Sequence, residues 1–123
     1  MRFNKLKISS DATSRLRSIR QRTGLTPNLL CRIAIMLSLE EGPASSLAPD
    51  DRGQEFNAYT LTGEYNALIA SLLRFVEEDE SGAGPLDNDT LLALLQAHIH
   101  RGVATLSVRA KSPADVGRLA LAA

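Results

Sequence analysis

The sequence predicts a mainly α-helical, oligomeric chain in which a short strand leads into two helices and a helical bundle follows. Three observations predict it. Apolar residues recur at helical spacing through most of the 123 residues. Only residues 2–9 alternate with the strand period of two. The stretch Leu29–Leu39 is apolar on nearly every side, which in a chain of this size predicts burial against a second copy.

Taken in order, the first element is RFNKLKIS, with Leu6 and Ile8 on one face and Phe3, Lys5 and Lys7 on the other. A lone strand is unstable, so a pairing strand from a second subunit is expected. Ser9 or Ser10 caps the first helix, Asp11 suits its positive end, and Ala12, Leu16, Ile19 and Thr23 form its core stripe. Gly24 ends it in the left-handed conformation. Thr26-Pro27 starts the second helix with a capping hydroxyl and proline at the first turn, and Gly42-Pro43 stops it.

Residues 43–60 read as a long polar connector, part of which is expected to pack or function. A third helix is expected over Leu61–Val76, with Tyr65, Leu68, Ile69, Leu72, Leu73 and Val76 on one side. EEDESGAGPLDND at 77–89 reads as a flexible acidic turn. Asp89 then caps a fourth helix whose apolar set is Leu92, Leu95, Ile99, Val103, Leu106 and Ala110. Gly102 lies inside that helix, at about 1 kcal/mol against alanine. Ser112-Pro113 begins a last helix that ends near Leu121. The whole reads as a single domain over 1–123: strand and two helices at 1–42, the connector, and the C-terminal helices at 61–121.

The strand, helix, GLTPN turn and second helix together predict a ribbon-helix-helix-like segment, in which two chains pair strands into a ribbon that reads DNA. Charge supports a nucleic-acid partner only when read by segment. Basic and acidic residues balance at 14 each, which taken whole argues against such a partner. Residues 1–32, however, hold eight basic groups and one acid; residues 33–100 hold two against twelve; residues 101–123 hold four against one.

At about 100° per residue, Arg15 and Arg22 flank the first helix's core stripe on one side, and Arg17 and Arg20 on the other. So much like charge on one helix, with no acid expected to pair with it there, calls for an anionic partner: DNA, or the chain's own acids at 77–80. The candidate DNA contacts are therefore Lys5, Lys7, Arg15, Arg17, Arg20 and Arg22, with Thr26 and Asn28 offering N–H groups at the second helix's start.

Other chemistry finds little footing. The two histidines of HIHRG, His98 and His100, point about 200° apart on a helix and cannot share one metal ion. His98 is expected at the edge of the core stripe. Cys31, the single cysteine, reads as a small buried hydrophobe rather than a nucleophile. No cofactor, metal or catalytic constellation is expected. Aromatic residues, 4% of the chain, are too few for a base-stacking platform. With no apolar run of about 20 residues and no apolar leader, a cytoplasmic protein without membrane contact is expected.

LKIS near the start, RTGLTPNLLCRIAIMLSLEEG at 22–42, GQEFNAYTLTGEY at 53–65 and HIHRG at 98–102 closely resemble the DndE family of the bacterial DNA phosphorothioation system. The resemblance runs across almost the whole chain. It implies a small helical, non-catalytic subunit that forms tetramers and binds nicked duplex DNA through a basic surface. Its partners would be a cysteine desulfurase, an iron–sulfur sulfurtransferase and an ATPase. By position that surface falls on the N-terminal segment, including Arg17, Arg20 and Arg22, where arginine stands in place of the lysines common in the family. The alternative is a sequence-specific ribbon-helix-helix repressor or antitoxin reading bases with Phe3, Lys5 and Lys7. The long continuation past Gly42 argues against a minimal repressor. A third reading, a protein–protein adaptor whose arginines face acidic partners, predicts no DNA affinity.

Overall fold

The computed structural model describes residues 1–81 and 84–122. Its elements are β1 (Lys5–Lys7), α1 (Ser10–Thr23), α2 (Pro27–Glu40), β2 (Glu55–Asn57), the short α3 (Ala58–Leu61), a 3₁₀ turn (Gly63–Tyr65), α4 (Asn66–Ser81), α5 (Asn88–Arg109) and α6 (Pro113–Ala122). The mainly helical character matches the reading from sequence. α5 is the central element: it packs most extensively on α2, next on α1, and also touches α4 and β1.

The strand finds its partner within the chain, not in a second subunit. β1 pairs antiparallel with β2, in the register Lys5 to Asn57, Leu6 to Phe56 and Lys7 to Glu55. Leu6 and Phe56 both turn into the core. The connector is thus committed to folding. Ile8 donates its N–H to Gln54 O and Gly53 donates to Ile8 O. Asp50 accepts from the N–H groups of Arg52 and Ser10 and from the Ser10 hydroxyl, which hold its carboxyl below the usual range. A Cβ on Gly53 would stand 2.1 Å from Thr13 Oγ1, so only glycine lets the connector lie this close to α1.

α1 is built as its sequence dictates. Ser9 Oγ accepts from the N–H of Ala12, Ala12, Leu16, Ile19 and Thr23 are buried, and Gly24 closes the helix at φ 75°. α2 buries Leu30, Cys31, Ala34, Ile35, Ser38 and Leu39, largely against α5. Its Ile33, Met36 and Leu37 instead line a groove of about 760 Å³ between α2, α4 and α6, with Leu68, Ile69, Val116 and Leu119. Thr26 stands at the N-cap of α2, but its side chain makes no capping bond, contrary to the expected capping hydroxyl.

Three boundaries differ from the sequence reading. The expected helix over 61–76 is split: α3 and the 3₁₀ turn precede α4, because Asn57 caps a separate short helix by accepting from Thr60 N–H. At its other end, α4 runs on through 77–81, in place of the expected flexible turn. There Glu78 anchors the helix end, accepting from Arg74 and from Leu86 N–H. Residues 82 and 83 of that turn lie outside the described residues. Finally, α5 is capped by Asp87 rather than Asp89, through the N–H of Thr90.

Gly102 does lie within α5, and the contact explains it. A Cβ there would meet Ala34 O at 1.9 Å, so the missing side chain sets how closely α2 and α5 approach. Among the described residues, no helix is long and apolar enough to cross a membrane.

Candidate nucleic-acid interface

The predicted basic residues separate into those that the fold uses and those that it leaves free. Arg15 and Arg22, on one flank of α1, reach α5. Arg15 donates to Ser107 Oγ at 3.0 Å and Arg22 to Ser107 O at 3.1 Å. Arg15 also pairs with Asp11 at 2.9 Å, so the expectation that no acid of α1 partners these arginines fails for Arg15. An i,i+4 spacing brings the two side chains together on the helix surface.

Arg17 and Arg20 stand on the opposite flank, exposed, with no side-chain hydrogen bond or ion pair among the described residues. They lie one turn apart and point the same way. Among the described residues, no ion pair joins either of them to the acidic segment. Glu77 bonds to His98 and Ala44, and Glu78 to Arg74 and Leu86. The side chains of Asp79 and Glu80 lie outside the described residues.

The remaining candidates are more dispersed. Lys5 and Lys7 are exposed on the outer face of β1, where Lys5 meets Glu55 at 3.8 Å. Thr26 is exposed and Asn28 half-buried at the start of α2. The lack of a side-chain cap leaves that turn's N–H groups without the partner expected of Thr26.

The fold also brings the basic C-terminal segment beside α1. Lys111, absent from the sequence-predicted contacts, donates Nζ to Ser107 O at 3.2 Å, next to Arg15 and Arg22. The positive excess of residues 101–123 was the available signal; its placement required the α1–α5–α6 packing.

A second polar constellation has no counterpart in the sequence reading. Ser38, Glu77, His98 and Arg101 form a buried network at the C-terminal end of α2. His98 is fully buried rather than at the edge of the core. Its Nε2 lies 2.7 Å from Glu77 Oε1, and its Nδ1 2.8 Å from Ser38 Oγ. Burial holds the imidazole below its ordinary pKa, only partly offset by Glu77. A neutral ring satisfies every partner: Nε2–H donates to Glu77, the Ser38 hydroxyl donates to Nδ1, and Arg101 Nε donates to Ser38 Oγ. Glu77 also accepts from Ala44 N–H, and Arg101 donates to the carbonyls of Ser38, Gly42 and Pro43.

Serine, histidine and carboxylate are thus in line, but the hydroxyl is fully buried and bound on both sides. The arrangement ties the end of α2 to α4 and α5. His100 faces elsewhere, with Nδ1 2.6 Å from Ser9 Oγ at the cap of α1. Burial pushes the Cys31 thiol up to about 12, which keeps it protonated and weakly nucleophilic. Among the described residues, no three His, Cys, Asp or Glu side chains converge on a metal position.

The family model described as "DNA sulphur modification protein DndE" matches residues 5–114. A search of curated proteins finds no match. Among solved structures, the chain is similar to the crystal structure of DndE from Escherichia coli B7A involved in DNA phosphorothioation modification. The two share 23% identity and a TM-score of 0.67 over 86% of this chain and 100% of that one. A DndE double-lysine mutant involved in DNA phosphorothioation aligns at 22% identity and a TM-score of 0.69, covering 86% of this chain and 99% of that one.

Proposed function

The chain belongs to the DndE family of DNA sulphur modification proteins, and on that premise we propose that it is a non-catalytic, DNA-binding and scaffolding subunit of a cytoplasmic phosphorothioation complex. The observation that carries the reading is the outer flank of α1. Arg17 and Arg20 are exposed, one turn apart, and unpaired among the described residues. Guanidinium groups left in that state suit phosphate, because their fork is planar and always charged.

The ligand is duplex DNA, intact or nicked, gripped through the backbone. Such contacts bring affinity and salt dependence without sequence preference. Self-association, as a homotetramer, would gather several copies of this flank into one field on a chain with no net charge. The open groove lined by Ile33, Met36, Leu37 and Leu68 is apolar surface of the kind such an assembly covers. The other subunits of the modification system supply the chemistry in this reading.

A ribbon-helix-helix repressor has less support, since β1 pairs with β2 of its own chain and Lys5 is drawn to Glu55. Binding titrations over a range of salt concentrations test the proposal. Arg17→Ala combined with Arg20→Ala should weaken binding to every duplex alike. It should also flatten the log–log salt dependence by about 0.9 for each phosphate no longer neutralised. An unchanged slope removes these arginines from the interface.

A further inference from the structure

The other flank of α1 carries more positive charge than its surroundings account for. Arg15, Arg22 and Lys111 converge on the single residue Ser107, in the last turn of α5. Two of the three share one acceptor, Ser107 O, at 3.1 and 3.2 Å, so their charges stand closer than the ~8 Å over which physiological salt screens.

Helix capping explains part of this. In a continued helix Ser107 O would accept from Lys111 N–H, but that N–H donates to Asp115 instead, leaving an orphan carbonyl at the negative end of α5. The end of a helix carries only about half a negative charge, however. Asp11 supplies one more, through Arg15. Asp115 is shared with Arg118. Three full positive charges therefore exceed the negative charge that faces them. A second observation agrees: Arg22 Nε is a buried donor with no partner among the described residues, so this guanidinium has more donors than acceptors.

We infer that the junction of α1, α5 and α6 binds a phosphodiester of the duplex through Arg15, Arg22 and Lys111, on the opposite side of α1 from Arg17 and Arg20. The inference rests on the DNA-binding reading above and deepens it. The solvent face of α1 between the two flanks carries Ser14, Ser18 and Gln21, all exposed and uncharged. α1 is then bracketed by two rows of cations, the arrangement that lets a helix lie along a duplex with backbone on either side. An α-helix fits the major groove, about 12 Å wide.

The chain has three lysines, Lys5, Lys7 and Lys111, which makes amine acetylation read by mass spectrometry a direct footprint. On the full chain with saturating duplex DNA, Lys111 should be protected several-fold relative to the free protein. Lys111→Gln should lower the salt slope by about 0.9, and Lys111→Arg should restore it. An unprotected Lys111, or a Lys111→Gln slope equal to that of the unsubstituted chain while Arg17→Ala with Arg20→Ala still flattens it, overturns this site and leaves the wider proposal standing. Absence of salt-dependent DNA binding by the unsubstituted chain overturns both.

Discussion

The contact between α2 and α5 and the outer face of α1 both carry arginine and serine, yet the fold treats them in opposite ways. At the α2–α5 contact, Arg101 donates to the Ser38 hydroxyl and to three carbonyls, and Ser38, His98 and Glu77 satisfy one another in the interior. Along α1, the side chains of Arg17 and Arg20 make no hydrogen bond or ion pair among the described residues. Arg32 belongs with the first group, donating to Leu61 O and Thr60 O beneath Tyr65. An arginine whose donors are nearly all taken holds elements together and has little left for a ligand; Arg22, with one side-chain hydrogen bond among the described residues and an unpartnered Nε, is not of that kind. An arginine left in water costs the fold almost nothing and keeps its charge for a partner. Counting basic residues does not separate the two kinds; locating their acceptors does.

The hardest way to break this contrast is at the closest approach of α2 and α5. Gly102→Ala would press a methyl group against the backbone oxygen of Ala34, at 1.9 Å before relaxation. No rotamer relieves a clash with backbone, so the helices must separate. We expect a loss of more than about 3 kcal/mol, measured by urea denaturation. A Gly102→Ala chain as stable as the original would show that this contact does not set the packing.

Next in size is the buried network. His98→Ala leaves Glu77 with Ala44 N–H as its remaining partner among the described residues and takes away the acceptor of the Ser38 O–H, whose oxygen keeps Arg101 Nε, a change of about 3 kcal/mol. The same histidine predicts a smaller dependence on pH. Its folded pKa lies below the unfolded value of 6.5, so between the two the unfolded chain binds more protons. The stabilisation is complete above pH 6.5 and is lost as pH falls through the folded value. Urea midpoints at pH 8 and pH 5 should therefore differ, and the difference should shrink in His98→Gln. An undiminished difference would assign the effect to other groups.

The smallest effect sharpens the contrast most. Arg17→Ala with Arg20→Ala should leave stability within about 0.5 kcal/mol, since neither side chain bonds to the rest of the described chain. Thermal unfolding checks this beside the DNA titration. A variant that both unfolds early and binds weakly would move these residues into the structural group.

Much of the fold was legible because its causes are local. Ser9 as a cap, Gly24 in the left-handed turn, the stripe Ala12–Leu16–Ile19–Thr23 and proline at the start of α6 follow from backbone geometry and apolar spacing within a few residues. The misjudged parts have distant causes. β1 pairs with a strand some fifty positions on, so no window around residues 2–9 reveals its partner. The acidic run reads as a turn by composition. It is helical because Glu77 has a buried histidine waiting on α5 and Glu78 has Leu86 N–H to receive.

The sequence alone determined the helical character, the segregation of charge that totals hide, and the family. Residue type, spacing and extended word likeness survive without coordinates. Only the tertiary structure decided which cations remain free. Arg15 and Arg17 stand two residues apart on one helix, on opposite flanks of its core stripe. α5 lies against one flank and not the other, and its orphan carbonyl at Ser107 draws Arg22 and Lys111 to the side where Arg15 meets the serine hydroxyl. Whether a cation stands alone or is gathered with others around one acceptor depends on the distance to that acceptor, and that distance is set by how helices pack.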